Sequence, residues 1–128
     1  MLNFLFVFLG GGVGSMLRYA LLTCCSYQGL SFLPPPKATL MANLLSCLLL
    51  GLFIGFNEHA ILSDRSKLLF MTGFCGGFST FSTFSGEIVS LSQSGDFISA
   101  LAYLMISVIF GIGLIVIGVF LAKAFCNL

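Results

Sequence analysis

The run Gly73-Phe74-Cys75-Gly76-Gly77-Phe78-Ser79-Thr80-Phe81-Ser82-Thr83-Phe84-Ser85 sets two kinds of chemistry side by side. A glycine pair followed by hydroxyl residues inside an apolar stretch suggests a broken helix, because in hydrocarbon every freed backbone group must be sheltered by protein or by a cavity. Carbonyls released at such a break can hold a cation. A continuous helix whose Ser and Thr side chains bond back to their own turn accounts for the same residues. Phe81 and Phe84, three apart, share a helix face, and Phe74 and Phe78 continue the stripe. Such stripes usually pack a core or face lipid. Interleaved with Ser82 and Thr83, however, the partly positive ring edges and the hydroxyl donors would solvate an anion without any Lys or Arg.

Two other segments offer donors at helical spacing. Thr39 and Asn43 lie at i and i+4, as do Tyr103 and Ser107, so each pair lines one face. Any single one accounts for itself as an interhelical hydrogen bond worth about 0.6 to 2 kcal/mol in lipid. Together they suggest a shared polar path whose groups all donate, whereas a cation pore usually shows carboxylate rings or carbonyls. Glu87, one turn past Thr83, is the only acid inside an apolar segment and is a functional candidate by that fact alone. Arg18, near the end of the first segment, is placed to snorkel toward headgroups.

Enzymatic constellations are missing from the sequence. It has one His, no G-x-S-x-G elbow, no paired carboxylates at a workable spacing and no phosphate-binding Lys beside its glycine clusters. Five cysteines without a C-x-x-C pair, and a lone His59, give no zinc spacing, so the cysteines read as packing residues. Only 7% of the 128 residues are charged and 59% are hydrophobic, against roughly 25% charged in a soluble domain. Lipid, not water, is the solvent this surface expects. A net charge of +1 without Lys/Arg clusters argues against nucleic acid as a partner.

These residues must be positioned by four apolar segments forming one domain, 1–128, at about Leu2 to Thr23, Ala38 to Phe56, Leu68 to Leu91 and Phe97 to Phe125. Pro34, Pro35 and Pro36 stop the helix between the first two. The first segment lacks the charged start and cleavage site of a signal peptide and reads as a membrane helix. The fold class is all-α, and on the residues alone the third helix is either broken or continuous. Small-x-x-x-small pairs at Gly10/Gly14, Gly51/Gly55 and Gly73/Gly77 permit close helix packing. With the N-terminus inside, Arg65, Lys67 and Lys123 face Arg18 and Lys37, a difference of one charge. So small a bias fits insertion both ways up.

On Gly10-Gly11-Gly12-Val13-Gly14 with Arg18-Tyr19, on Thr39 to Asn43, and above all on Gly73 to Ser85, the chain resembles the Fluc or CrcB fluoride channels over nearly its whole length. The resemblance implies a multi-pass protein of the bacterial inner or plasma membrane that exports cytoplasmic fluoride passively and lowers its toxicity. It also implies a broken third helix, an antiparallel dual-topology dimer, with an identical chain or a close paralogue, and a structural sodium ion (Na+) at the dimer centre held by the backbone carbonyls of Gly76 and Ser79. Phe81 and Phe84 match the family's phenylalanine box. Asn43, Thr39, Tyr103, Ser107, Ser82, Thr83 and Glu87 match its ion-pathway positions. Phe78 and Ser79 depart from the pattern, since many members have Leu and Thr there.

A small dual-topology multidrug or cation exporter is the alternative. It would need a carboxylate deep in the first helix, where this chain offers only Arg18.

Overall fold

A computed structural model describes residues 1–27 and 37–127, and the stop expected at Pro34 to Pro36 lies outside them. The elements of the described chain are all helical: α1 (Leu2–Tyr27), α2 (Lys37–Glu58), α3 (Asp64–Lys67), a π-helical segment Leu68–Cys75, α4 (Gly76–Phe78), α5 (Phe81–Gln93) and α6 (Phe97–Cys126). Among the described residues, α1, α2 and α6 contain spans long and apolar enough to cross a membrane.

The third apolar segment departs most from the sequence expectation. Its helical backbone starts at Asp64 rather than Leu68, because Ser63 caps it by accepting from the Ser66 amide at 3.2 Å, and Asp64 puts an acid in the first turn. Asp64 also pairs with Lys67 at 3.1 Å. From there the helix continues through a widened π-type stretch to Phe78 and turns a corner before α5. Between α5 and α6, Gly95 takes the positive φ of 84° that the reversal needs, and Asp96 caps α6 by accepting from the Ser99 amide at 3.1 Å.

Glycines decide which helices meet. A Cβ on Gly10 would strike the Leu69 carbonyl oxygen, one on Gly14 would lie 2.8 Å from the Phe78 amide nitrogen, and one on Gly77 would lie 2.9 Å from the Gly11 Cα. The backbones of α1 and the Leu68–Phe78 stretch therefore touch, running in the same direction. Likewise α2 packs most extensively on α6. A Cβ on Gly51 would come within 2.9 Å of the Ile115 Cα, and one on Gly118 within 2.8 Å of the Leu52 nitrogen. This pair is also parallel, and it is closed at one end by Lys123 and Glu58 at 2.7 Å. All three small-x-x-x-small pairs read from the sequence thus lie at helix contacts.

A buried cluster of Leu40, Phe84 and Tyr103 joins α2, α5 and α6, with Leu44, Ile88, Leu91 and Ile106 around it. The outward faces of α1 and α6 expose Phe4, Phe8, Met16, Ile98, Phe110 and Phe120. Such a surface is stable in lipid and not in water.

Candidate ion pathway at a helix break

The corner is two residues of extended backbone, Ser79 (φ −81°, ψ 158°) and Thr80 (φ −150°, ψ 118°). The Ser79 amide makes the last helical bond, to the Cys75 carbonyl at 3.0 Å. In an uninterrupted helix the Thr80 amide would go to Gly76 O, but it donates instead to Asn43 Oδ1 on α2 at 2.8 Å, while Asn43 Nδ2 reaches Thr80 O at 3.4 Å. Similarly the Thr83 amide, the helical donor for Ser79 O, is taken by Thr80 Oγ1 at 3.3 Å as the N-cap of α5. The Gly76 and Ser79 carbonyls therefore both lose their helical partners. Gly76 is exposed and Ser79 half-buried, and carbonyls freed in this way in a chain surrounded by lipid call for another donor or a cation.

The glycine pair is not itself the break. Gly76 stays helical at φ −65°, ψ −35°, and Gly77 serves the contact with Gly11. By contrast, a Cβ on Gly76 would meet nothing within 4 Å. The phenylalanine stripe does not run on as one helix face, because the extended corner divides it. Phe74 and Phe78 stack at 5.7 Å before the corner, and Phe81 and Phe84 lie 6.0 Å apart after it. Their environments differ: Phe81 is 79% exposed, Phe84 only 7%. The Phe84 ring meets Tyr103 edge-on at 5.0 Å.

Beside the corner lies an open groove of about 260 Å³ lined by Asn43, Ser79, Thr80, Phe81, Phe84 and Ser107, with Cys47 and Val108 completing its wall. Its lining holds no charged side chain. Ser107 Oγ is buried and has no hydrogen-bond partner among the described residues. A buried hydroxyl without a partner is costly, so its position on a donor-lined groove is what an anion or its water would satisfy. Sequence reading did not single out Cys47, although it follows Asn43 by four residues on the same face of α2.

The remaining candidates form two further groups. Thr39 Oγ1 donates to Glu87 Oε1 at 2.8 Å and the Tyr103 hydroxyl donates to Oε2 at 2.9 Å, so both donors are committed to Glu87. Thr39 and Tyr103 are buried, at 2% and 0% exposure, and the triad ties α2, α5 and α6 together. Ser82 and Thr83 are exposed and flank Thr80 Oγ1, each with its hydroxyl 3.2 Å away. They lie outside the groove of this single chain. Arg18 is partly exposed, with no ion pair among the described residues. Among those residues no group of three or more His, Cys, Asp or Glu side chains is placed to hold a metal.

The family described as CrcB-like protein, Camphor Resistance (CrcB), matches residues 5–119. The chain is 37% identical to the fluoride-specific ion channel FluC of Phocaeicola vulgatus over 96% of its own length and 100% of that protein's. It is 40% identical to FluC of Flavobacterium psychrophilum, covering 92% of this chain and 94% of the relative. A FluC of Leptospira interrogans is also 40% identical, over 96% of each. With a family match spanning nearly all four apolar segments and relatives aligned end to end, the chain belongs to the CrcB family.

Proposed function

We propose that the chain is a fluoride-selective channel of a multi-pass membrane protein, letting cytoplasmic fluoride leave passively and so lowering its toxicity. The observation that carries this reading is the buried, unpartnered Ser107 hydroxyl on a groove lined by Asn43, Thr80 and two phenylalanines, without Lys or Arg. Fluoride is small and strongly hydrated. Short hydrogen bonds and ring edges must replace its water, and a path of neutral donors does so without trapping the ion. The names of the relatives support the same ion. The exporter alternative lacks support, because α1 carries no carboxylate.

Two chains complete the assembly in this reading, as an antiparallel, dual-topology dimer of identical or paralogous subunits in the bacterial inner or plasma membrane. The broken third segment supplies the fourth crossing of each chain. The open face of Gly76 and the freed carbonyls of Gly76 and Ser79 support a structural sodium ion shared between subunits. When bound, that ion would supply the positive charge that the carbonyls lack from amide donors. Fluoride efflux from proteoliposomes, read by a fluoride electrode with chloride as the control ion, tests the function. Equal fluxes of the two ions would overturn it.

A further inference from the structure

We infer that Ser46 is a positioning residue for the ion path, holding the near side of the helix break while Asn43 holds the far side. Ser46 is 3% exposed, and its Oγ donates to the Cys75 carbonyl at 3.0 Å. That carbonyl is the last one before the corner to keep a helical partner, the Ser79 amide, and it also accepts from Ser79 Oγ at 2.9 Å. Three donors from two residues, Ser79 and Ser46, thus converge on one oxygen. Ser46 lies three residues beyond Asn43 and shares its face of α2. Because α2 runs antiparallel to the broken segment, Asn43 meets Thr80 and Ser46 meets Cys75. The two side chains grip the chain on either side of the extended residue Ser79.

The geometry gives Ser46 influence over atoms it does not touch. Thr80 and Phe81 rim the groove, and the Gly76 and Ser79 carbonyls are freed at the same corner. If only Asn43 held the break, the helix ending at Phe78 would be free to pivot about that point. A second anchor removes the pivot and fixes the spacing between Asn43, Thr80 and Phe81, on which discrimination among halides depends in a narrow donor-lined path. Ser46 touches neither groove nor ion, so its effect passes through Cys75 and Ser79.

Removing it should leave a folded protein. In Ser46→Ala the Cys75 carbonyl keeps two donors, so no buried acceptor is orphaned. Loss of one neutral hydrogen bond should raise the opening equilibrium of the corner about fivefold.

The inference rests on the channel reading for its transport half alone, so the test has two arms. Hydrogen exchange of the segment Ser79–Thr83 should quicken about fivefold in Ser46→Ala while that of α6 stays unchanged. The fluoride-to-chloride flux ratio in proteoliposomes should fall at the same time, and Ser46→Thr should restore both. Simple loss of folded protein would lower both fluxes together without moving their ratio, and that result overturns a positioning role. Unaltered exchange at the corner also overturns it, whichever ion the protein carries. Wild-type protein that conducts no fluoride would sink the channel reading and the transport half together. Normal wild-type flux with an unmoved ratio in Ser46→Ala would sink this inference alone.

Discussion

Asn43 and Thr80 form a two-bond pair in which a side-chain amide occupies the place of a helix backbone: Thr80 N–H donates to Oδ1 at 2.8 Å, and Nδ2 reaches the Thr80 carbonyl at 3.4 Å. Asn43→Asp keeps the acceptor for the amide but loses the donor and places a carboxylate against both a carbonyl and the anion's route. It should assemble and conduct fluoride at least about tenfold more slowly, a loss of about 1.4 kcal/mol. Asn43→Ala should also lower thermal stability by about 1–3 kcal/mol, since the Thr80 amide is left without a partner. Fluoride efflux and detergent-phase melting, measured on both variants, check this.

Phe81 and Phe84 should separate in their effects. Phe81→Ile loses the ring edge on an exposed side chain, so flux should fall up to about tenfold with little change in stability. Phe84→Ile also loses its edge contact with Tyr103 in the buried cluster, costing about 1–2 kcal/mol of stability in addition to flux. Wild-type flux in both variants would return these rings to packing alone.

Gly76 and Gly77 are adjacent but face different neighbours. Gly77→Ala pushes a methyl against the Gly11 backbone and should destabilise the chain by about 1–3 kcal/mol or block its folding. A Cβ at Gly76 meets nothing within 4 Å among the described residues, so Gly76→Val projects into open space. If Gly76 faces a second subunit, that variant should insert normally and fail to dimerise, as read by cross-linking in membranes. A normal dimer of Gly76→Val, conducting without sodium, would remove the proposed cation site.

Thr39→Val and Tyr103→Phe each leave one Glu87 oxygen without its donor, and each should cost about 0.5–2 kcal/mol. Because both act on one carboxyl group, the double variant should depart from additivity by at least about 0.5 kcal/mol. A melting-based double-mutant cycle gives the coupling directly.

Asp96 gives a pH dependence with a definite sign. The hydrogen bond from Ser99 holds its carboxyl below the ordinary value of 3.8. A depressed folded value means the cap's contribution is fully present above the ordinary range and is lost as pH falls through the lowered folded value. Asp96→Asn keeps an acceptor at the N-cap, so it should retain the α6 start while abolishing this acid-dependent part. Melting temperatures between pH 2 and pH 6 would resolve the two proteins.

Membrane burial makes polar residues conspicuous in sequence. Asn43, Ser107, Phe81 and Phe84 could be singled out in an apolar chain, and the structure brings all four to one groove. The run of glycines and hydroxyls suggests a break without fixing its place, and the structure puts it at Ser79 and Thr80, where the interruption is made by donors. The Thr80 amide is captured by a residue 37 positions away, and no local pattern announces such a partner. Ser46 was passed over for the same reason, its acceptor being a backbone carbonyl on another helix. The start of the third segment was set too late because Ser63 and Asp64 belong to a polar cluster that reads as loop until its capping bond is seen.

The pairing of α1 with the Leu68–Phe78 stretch and of α2 with α6 bears on how the chain is made. In each pair the partner is not the next membrane segment but the one after it. A ribosome delivering this chain from its N-terminus therefore releases α1 before the surface that fits Gly10 and Gly14 exists. It then releases α2 long before Gly118 arrives to meet Leu48 and Leu52. Each glycine-lined face must wait in lipid, or against the insertion machinery, until a later segment emerges. The second pair closes only when α6 emerges, so a chain cut short before α6 would leave α2, with the residues that grip the break, lacking its principal neighbour.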